Sequence, residues 1–219
     1  MLHPFFTLDV FTASPFTGNP VAVVLGAQDF TDRQMQTVAR EFNLSETVFV
    51  SAPTDPANTA KIRIFMPNGE LPFAGHPTIG TAVLLASLDA SNAKGCDCQI
   101  LLEEQAGLVP VHVTGNGDDW TGTLTTPSVP TAAGKPPSTE LLGGSIGLEI
   151  DEIGFADHQT GMFDAGVPYL FIPVQDLDAL ERAAVNEPIW SEMTSAAGTD
   201  GACIYTRGKD ARNWHARLY

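Results

Sequence analysis

Alternating and continuous apolar runs, broken by turn residues, divide this chain into short strands and a few helices. Phe5 to Phe11 reads as a strand, Ser14 to Pro20 as a loop carrying Gly18-Asn19-Pro20, and Val21 to Leu25 as a buried β-branched strand. Thr31-Asp32-Arg33-Gln34 fits a capping box, and Met35, Val38, Ala39 and Phe42 follow at helical spacing, so an amphipathic helix is predicted over 32–42. Leu44 to Val50 is a strand with a carboxylate, Glu46, near its start. Arg63 to Met66 is a short strand and Pro67-Asn68-Gly69 a turn. Gly75-His76-Pro77 then opens an apolar helical run, Ile79 to Leu88, with Pro77 suited to the first helical position. After a polar loop over 89–95, Gln99 to Glu104, Leu108 to Val113 and Trp120 to Thr126 are strands, joined at Ala106-Gly107 and by a turn over 115–119.

Four prolines between Pro127 and Pro137, set among Ala, Gly and Thr, read as an extended connector. It separates an expected N-terminal domain, 1–126, from a C-terminal domain, 138–219. There Phe163 to Val174 is strand-like, Leu177 to Val185 helical, and Gly201 to Thr206 and Trp214 to Tyr219 are strands. The order echoes the first half. Gly18 to Val24 matches Gly166 to Ile172; helix 32–42 and Glu46 to Val50 match a short helix near 189–197 and Ala202 to Thr206; Lys61 to Phe65 matches His215 to Tyr219. A duplicated unit accounts for this. On that reading the chain stops where the second copy of the Gly75-His76-Pro77 segment is due.

Composition narrows the partners. A net charge of −15, from 11 basic and 26 acidic residues, argues against nucleic acid and against an anionic membrane surface. A small anion is still admissible, because the unpaired N–H groups at a helix start bind carboxylates locally. Cys96, Cys98 and Cys203 are odd in number, so no disulfide framework is expected, and Cys96-Asp97-Cys98 lacks the second pair a zinc site needs. No metal is expected. Met1-Leu2-His3-Pro4 has no basic region leading into an apolar core, and no apolar run reaches the roughly 18 residues of a membrane span. A reducing, cytoplasmic setting is expected.

Glu46, flanked by Ser45 and an apolar strand, stands where burial tunes a carboxylate toward general-base chemistry. From position alone it reads more readily as a solvent-facing residue at a strand entrance. His76 can donate a hydrogen bond or proton to a ligand, or cap and pack the helix. Gly75 lets its amide approach a ligand closely. Glu70 reads as a solvated turn carboxylate, and Asp164 and Asp200 as turn residues. No Gly-x-Ser-x-Gly elbow or phosphate-cradling loop is present, and His3, His112, His158 and His215 form no ligand-spaced cluster.

Phe11 to Val24, Asn43 to Val50 and Arg63 to Ala82, followed by Leu102 to Val109 and Gly166 to Val174, together resemble the PhzF-like phenazine-biosynthesis isomerase family. The resemblance spans almost the whole chain. It implies the diaminopimelate-epimerase fold: an α+β protein of two pseudo-symmetric domains, each a mostly antiparallel, barrel-like sheet around a central helix. It implies that Ile79 to Leu88 is such a helix and that Glu46 is the general acid/base. Gly75, His76, Pro77, Ser45 and Asn19 are the substrate-binding candidates. No metal, flavin, nicotinamide or pyridoxal cofactor is implied. The reaction implied is proton movement within a small carboxylic acid, and the assembly a homodimer. Related epimerases and racemases carry a cysteine at the place of Ala74, so a two-thiol racemase is disfavoured. Family members continue into a second helix-opening motif beyond Tyr219, so the second domain is expected to be incomplete. An amino-acid epimerase with other acid/base residues, and a non-catalytic small-acid-binding protein, are the alternatives.

Overall fold

The computed structural model describes residues 3–89, 95–117, 119–165, 167–199, 201–210 and 213–219. Expectations that fall on Met1, Leu2, 90–94, Asp118, Gly166 and Asp200 lie outside the described residues. Two compact units are present, Met1–Ser128 and Val129–Tyr219.

The first unit runs β1 (Phe5–Val10), β2 (Asn19–Leu25), α1 (Asp32–Phe42), β3 (Glu46–Ser51), β4 (Ala60–Met66), β5 (Gly69–Leu71), α2 (Gly75–Leu88), β6 (Cys96–Glu104), β7 (Gly107–Asn116) and β8 (Asp119–Leu124). The strands form one sheet in the order β1-β2-β3-β4-β6-β7-β8, with β5 folded back on β4. Its two parallel pairs, β2 with β3 and β4 with β6, each enclose a helix, as parallel neighbours require a crossover. Alternation sorts the side chains between the two helices. Val21, Val23, Val48, Val50, Ile62, Ile64, Ile100 and Leu102 share a core with α2; Val24, Phe49 and Phe65 pack with Met35 and Ala39 of α1.

α1 forms as its capping box dictates: Thr31 Oγ1 accepts from the Gln34 amide while Gln34 Oε1 accepts from the Thr31 amide. α2 is different in kind. Its 14 residues carry no Asp, Glu, Lys or Arg, and it packs against β1, β2, β3, β6, β7 and β8. A helix apolar on all sides is stable when enclosed, and the sheet encloses this one. The approach is close: a Cβ on Gly80 would stand 2.8 Å from Val10 Cγ2, and one on Gly122 2.9 Å from Ile79 Cγ2.

Three expectations are corrected. α2 begins at Gly75, two residues before Pro77, which is therefore the third helical residue. Proline is harmless there because none of the first N–H groups of a helix has an intrahelical partner. Glu70 lies in β5 rather than in a turn; exposed, it grips Arg63 at 2.7 and 2.6 Å, while Arg63 also holds Asp32. Cys96 and Cys98 are disulfide-linked, since positions two apart on a strand share a face; Cys203 is free.

The second unit runs β9 (Thr131–Ala132), α3 (Thr139–Ile146), β10 (Gly161–Asp164), β11 (Pro168–Pro173), α4 (Leu177–Arg182), α5 (Ile189–Ala197), β12 (Ala202–Arg207) and β13 (Trp214–Leu218). The sheet order is β13-β12-β11-β10-β9, with β11 and β12 parallel. Leu170, Ile172 and Ile204 form its core with Leu142, Ile146, Leu180 and Met193.

The frame of the first unit recurs here. β1-β2-α1-β3-β4 and β10-β11-α4-α5-β12-β13 share one pattern: antiparallel pair, parallel pair across helices, antiparallel pair. Asp9 faces Pro20 in one copy and Asp164 faces Pro168 in the other. Carrying that register across sets Lys61 to Phe65 on His215 to Tyr219, and Glu46 on Gly201. No side chain fits at Gly201: a Cβ there would lie 2.5 Å from the Tyr219 carbonyl oxygen. No helix among the described residues is long and apolar enough to cross a membrane.

Candidate functional site

Several strand ends meet the N-terminus of α2. Glu46 is the first residue of β3 and stands opposite Val21, beside the start of β2 at Asn19. In the alternation of β3 it continues the row Val48 and Val50, which faces α2. His76 is the second residue of α2. Its Nε2 lies 3.2 Å from Glu46 Oε2, with side-chain exposures of 7% and 15%. The two atoms are close enough for an ion pair but lack hydrogen-bond alignment, and each is buried with no hydrogen-bond partner.

A polar chain holds the imidazole from behind. Ser45 Oγ donates to Asn19 Oδ1 at 3.3 Å, and Asn19 Nδ2 stands 3.2 Å from His76 Nδ1. With the serine hydrogen on Oδ1 the amide N–H₂ faces Nδ1, an arrangement that fits the imidazole proton on Nε2, toward Glu46. Burial lowers the His76 pKa below its ordinary value, against the opposing pull of Glu46 and the Pro20 carbonyl. His76 is thereby favoured as a neutral donor. The Phe11 ring stands 6.5 Å from the imidazole, and Phe11 is 70% exposed.

The helix start supplies further donors. Ala74 is the N-cap and makes no side-chain cap, and Pro77 has no N–H. Thr78 N–H donates to the Ala74 carbonyl at 3.3 Å. Among the described residues no acceptor takes the Gly75 and His76 amides. Two backbone N–H groups at a helix terminus make a receptor for a carboxylate.

Asn19, Ser45, Glu46, Gly75, His76 and Pro77 are thus gathered at one end of the sheet. Asp164 lies in the second unit, at the end of β10. Glu104 went unnoticed at the sequence level. It closes the α2-facing row Ile100, Leu102 of β6, and its Oε1 lies 2.7 Å from Thr78 Oγ1 on the first turn of α2. Burial pushes its pKa up to about 7, partly opposed by the Thr78 hydroxyl. Its spacing of two and four residues from Leu102 and Ile100 was the available signal. Two open surface cavities, one lined by Cys96, Asp97 and Asp119 and one by Phe11, Thr12 and Trp120, do not include Glu46 or His76. Converging polar groups, rather than a deep hollow, mark the candidate site. No group of three or more metal-ligating side chains occurs among the described residues.

A sheet curled around a buried helix, with its frame repeated in a second unit, defines an α+β scaffold of the epimerase type. A hydroxyproline epimerase structure from Agrobacterium vitis shares that fold, with a TM-score of 0.57 and 14% identity over 99% of this chain and 69% of the other. The chain belongs to the phenazine biosynthesis-like protein family, which it matches over residues 8–219. It is 39% identical to a trans-2,3-dihydro-3-hydroxyanthranilate isomerase of Pseudomonas chlororaphis, over all of this chain and 72% of the relative. An uncharacterized isomerase of Mesorhizobium japonicum is 40% identical over 84% of this chain, and the alignment spans 60% of that relative's length. A PhzF-family phenazine biosynthesis protein of Bacillus anthracis superposes with a TM-score of 0.80 at 25% identity, over all of this chain and 72% of the other.

Proposed function

We propose that the chain carries the proton-transfer site of a cofactor-independent isomerase acting on a small carboxylic acid. The observation that carries this reading is the buried, misaligned pair of Glu46 Oε2 and His76 Nε2 beside free helix-terminal amides. The amides of Gly75 and His76 hold the substrate carboxylate. Glu46 takes a proton from one carbon; the C–H electrons enter the substrate's conjugated system, and the acid so formed returns the proton at another carbon. Both bonds balance without an oxidant or reductant. His76, neutral and held by Asn19, donates through Nε2 to the carboxylate or to a substrate oxygen. Partial exclusion of water lets some of the lifted protons return directly while others exchange with solvent first.

The named activity of the Pseudomonas relatives supports a ring-bearing acid as substrate. A thiol-based epimerase is disfavoured: Ala74 caps α2, Cys96 and Cys98 are tied to each other, and Cys203 belongs to β12.

The test is incubation with trans-2,3-dihydro-3-hydroxyanthranilate in D₂O, followed by mass spectrometry. The wild type is expected to incorporate deuterium into substrate and product, and Glu46→Gln is not. Equal incorporation in both removes Glu46 from its role. Binding without incorporation in the wild type favours a non-catalytic acid-binding protein.

A further inference from the structure

Thr78 Oγ1 lies 2.7 Å from the Ala74 carbonyl oxygen and 2.7 Å from Glu104 Oε1. A hydroxyl has one hydrogen to give. If it goes to the Ala74 carbonyl, the contact with Glu104 is a hydrogen bond only when the carboxyl is protonated and donates to Thr78. If Glu104 is ionised, it claims the Thr78 hydrogen and the Ala74 carbonyl loses it. Glu104 Oε2 is buried and without a hydrogen-bond partner, a setting that favours the neutral acid. Ala74 is the N-cap whose next two residues offer the free amides. The turn after Glu104 reaches the same segment, since the Ala106 amide donates to the Pro72 carbonyl at 3.0 Å.

We propose that Glu104 is a positioning residue for the carboxylate grip. As a neutral acid it ties the end of β6 through Thr78 to the Ala74 carbonyl, and leaves the α2 N-terminus to the substrate. Ionised, it becomes a competing anion at that terminus and slackens the Ala74 link. This role rests on the proposed carboxylate site at Gly75 and His76.

The surrounding charges do not supply the effect. On β4, Lys61 is exposed and paired in register with Glu103, and Arg63 is held by Asp32 and Glu70 of β5. Glu103 is occupied by the amides of Thr54 and Asp55 and by Asn58. On β7, His112 pairs with Asp97. His76 on α2 and Glu46 on β3 face each other. The influences on Glu104 itself are burial, which raises its pKa to about 7, and the Thr78 hydroxyl, which opposes it.

Benzoate, whose charge is constant between pH 6 and 8.5, is the probe, with affinity read by NMR titration. Wild-type affinity is expected to fall several-fold across that range, and Glu104→Gln to hold the low-pH affinity throughout. Thr78→Val is expected to weaken binding at every pH and Thr78→Ser to restore it. The side-chain carboxyl carbon of Glu104 in the wild type should titrate near neutrality, with a midpoint that moves upward when benzoate is bound. The same pH slope in wild type and Glu104→Gln overturns the role, as does an ordinary carboxylate midpoint unmoved by benzoate. Absence of benzoate binding to the wild type at every pH overturns the carboxylate site itself, and this role with it.

Discussion

Glu46 Oε2 and His76 Nε2 confront each other across 3.2 Å inside the protein, yet their geometry is not that of a hydrogen bond. An unsatisfied buried polar group costs roughly 1–3 kcal/mol. A fold tolerates such a cost where a ligand is to complete the pairing.

Glu46→Gln should therefore fold with stability equal to or greater than that of the wild type, while proton transfer falls by about two to four orders of magnitude. Urea denaturation and deuterium incorporation on the same preparation check both halves. A variant that loses stability and activity together would assign Glu46 a structural role instead.

His76 gives a pH signature. Burial lowers its pKa in the folded protein, so between that value and the ordinary 6.5 the unfolded chain binds more protons than the native one. Stability from this group is complete above pH 6.5 and is lost as pH falls through the folded-state value. The imidazole resonances should remain those of the Nε2–H neutral form below pH 6.5, and Asn19→Ala should alter that tautomer preference.

Glu104 acts with the opposite sign. Its pKa rises from 4.5 to about 7, so the native state holds a proton that the unfolded chain has released. Stability falls as pH rises from about 4.5 to 7 and is level beyond, a loss on the order of 3 kcal/mol before solvent screening is discounted. Glu104→Gln should stabilise the protein at pH 8 and change little at pH 4, as compared by denaturant midpoints at the two values.

Gly80→Ala tests the fit of α2. Better helix propensity contributes up to about 1 kcal/mol, but overpacking costs about 1–3 kcal/mol. The stiff Val10 side chain, 2.8 Å from the new methyl position, makes overpacking the larger effect. A net loss of about 1–2 kcal/mol is expected in urea unfolding; a gain would show that β1 yields freely.

Local chemistry made much of the first unit legible. The Thr31–Gln34 capping box defined α1, and period-two alternation defined the rows that face the two helices. The resemblance of the Glu46 and Gly75-His76-Pro77 segments drew attention to two pieces of chain that the fold sets side by side. Their distance was not legible, because it depends on the crossovers and register of β2, β3 and β4. The start of α2 was misread because proline fits any position of a first turn, not the first alone. β5 was missed because three residues are too few to show a period. Glu104 was missed although its spacing from Ile100 and Leu102 places it inward, since a glutamate beside a second glutamate at a strand end looks solvated.

The place of Glu46 at the start of β3, on the row that faces α2, bears on stereochemistry. On the proposed chemistry, a solitary base must deliver the hydrogen to the same side of the molecule from which it lifted it. Transfer by Glu46 alone would be suprafacial. Chirally deuterated substrate would show the label retained on one face.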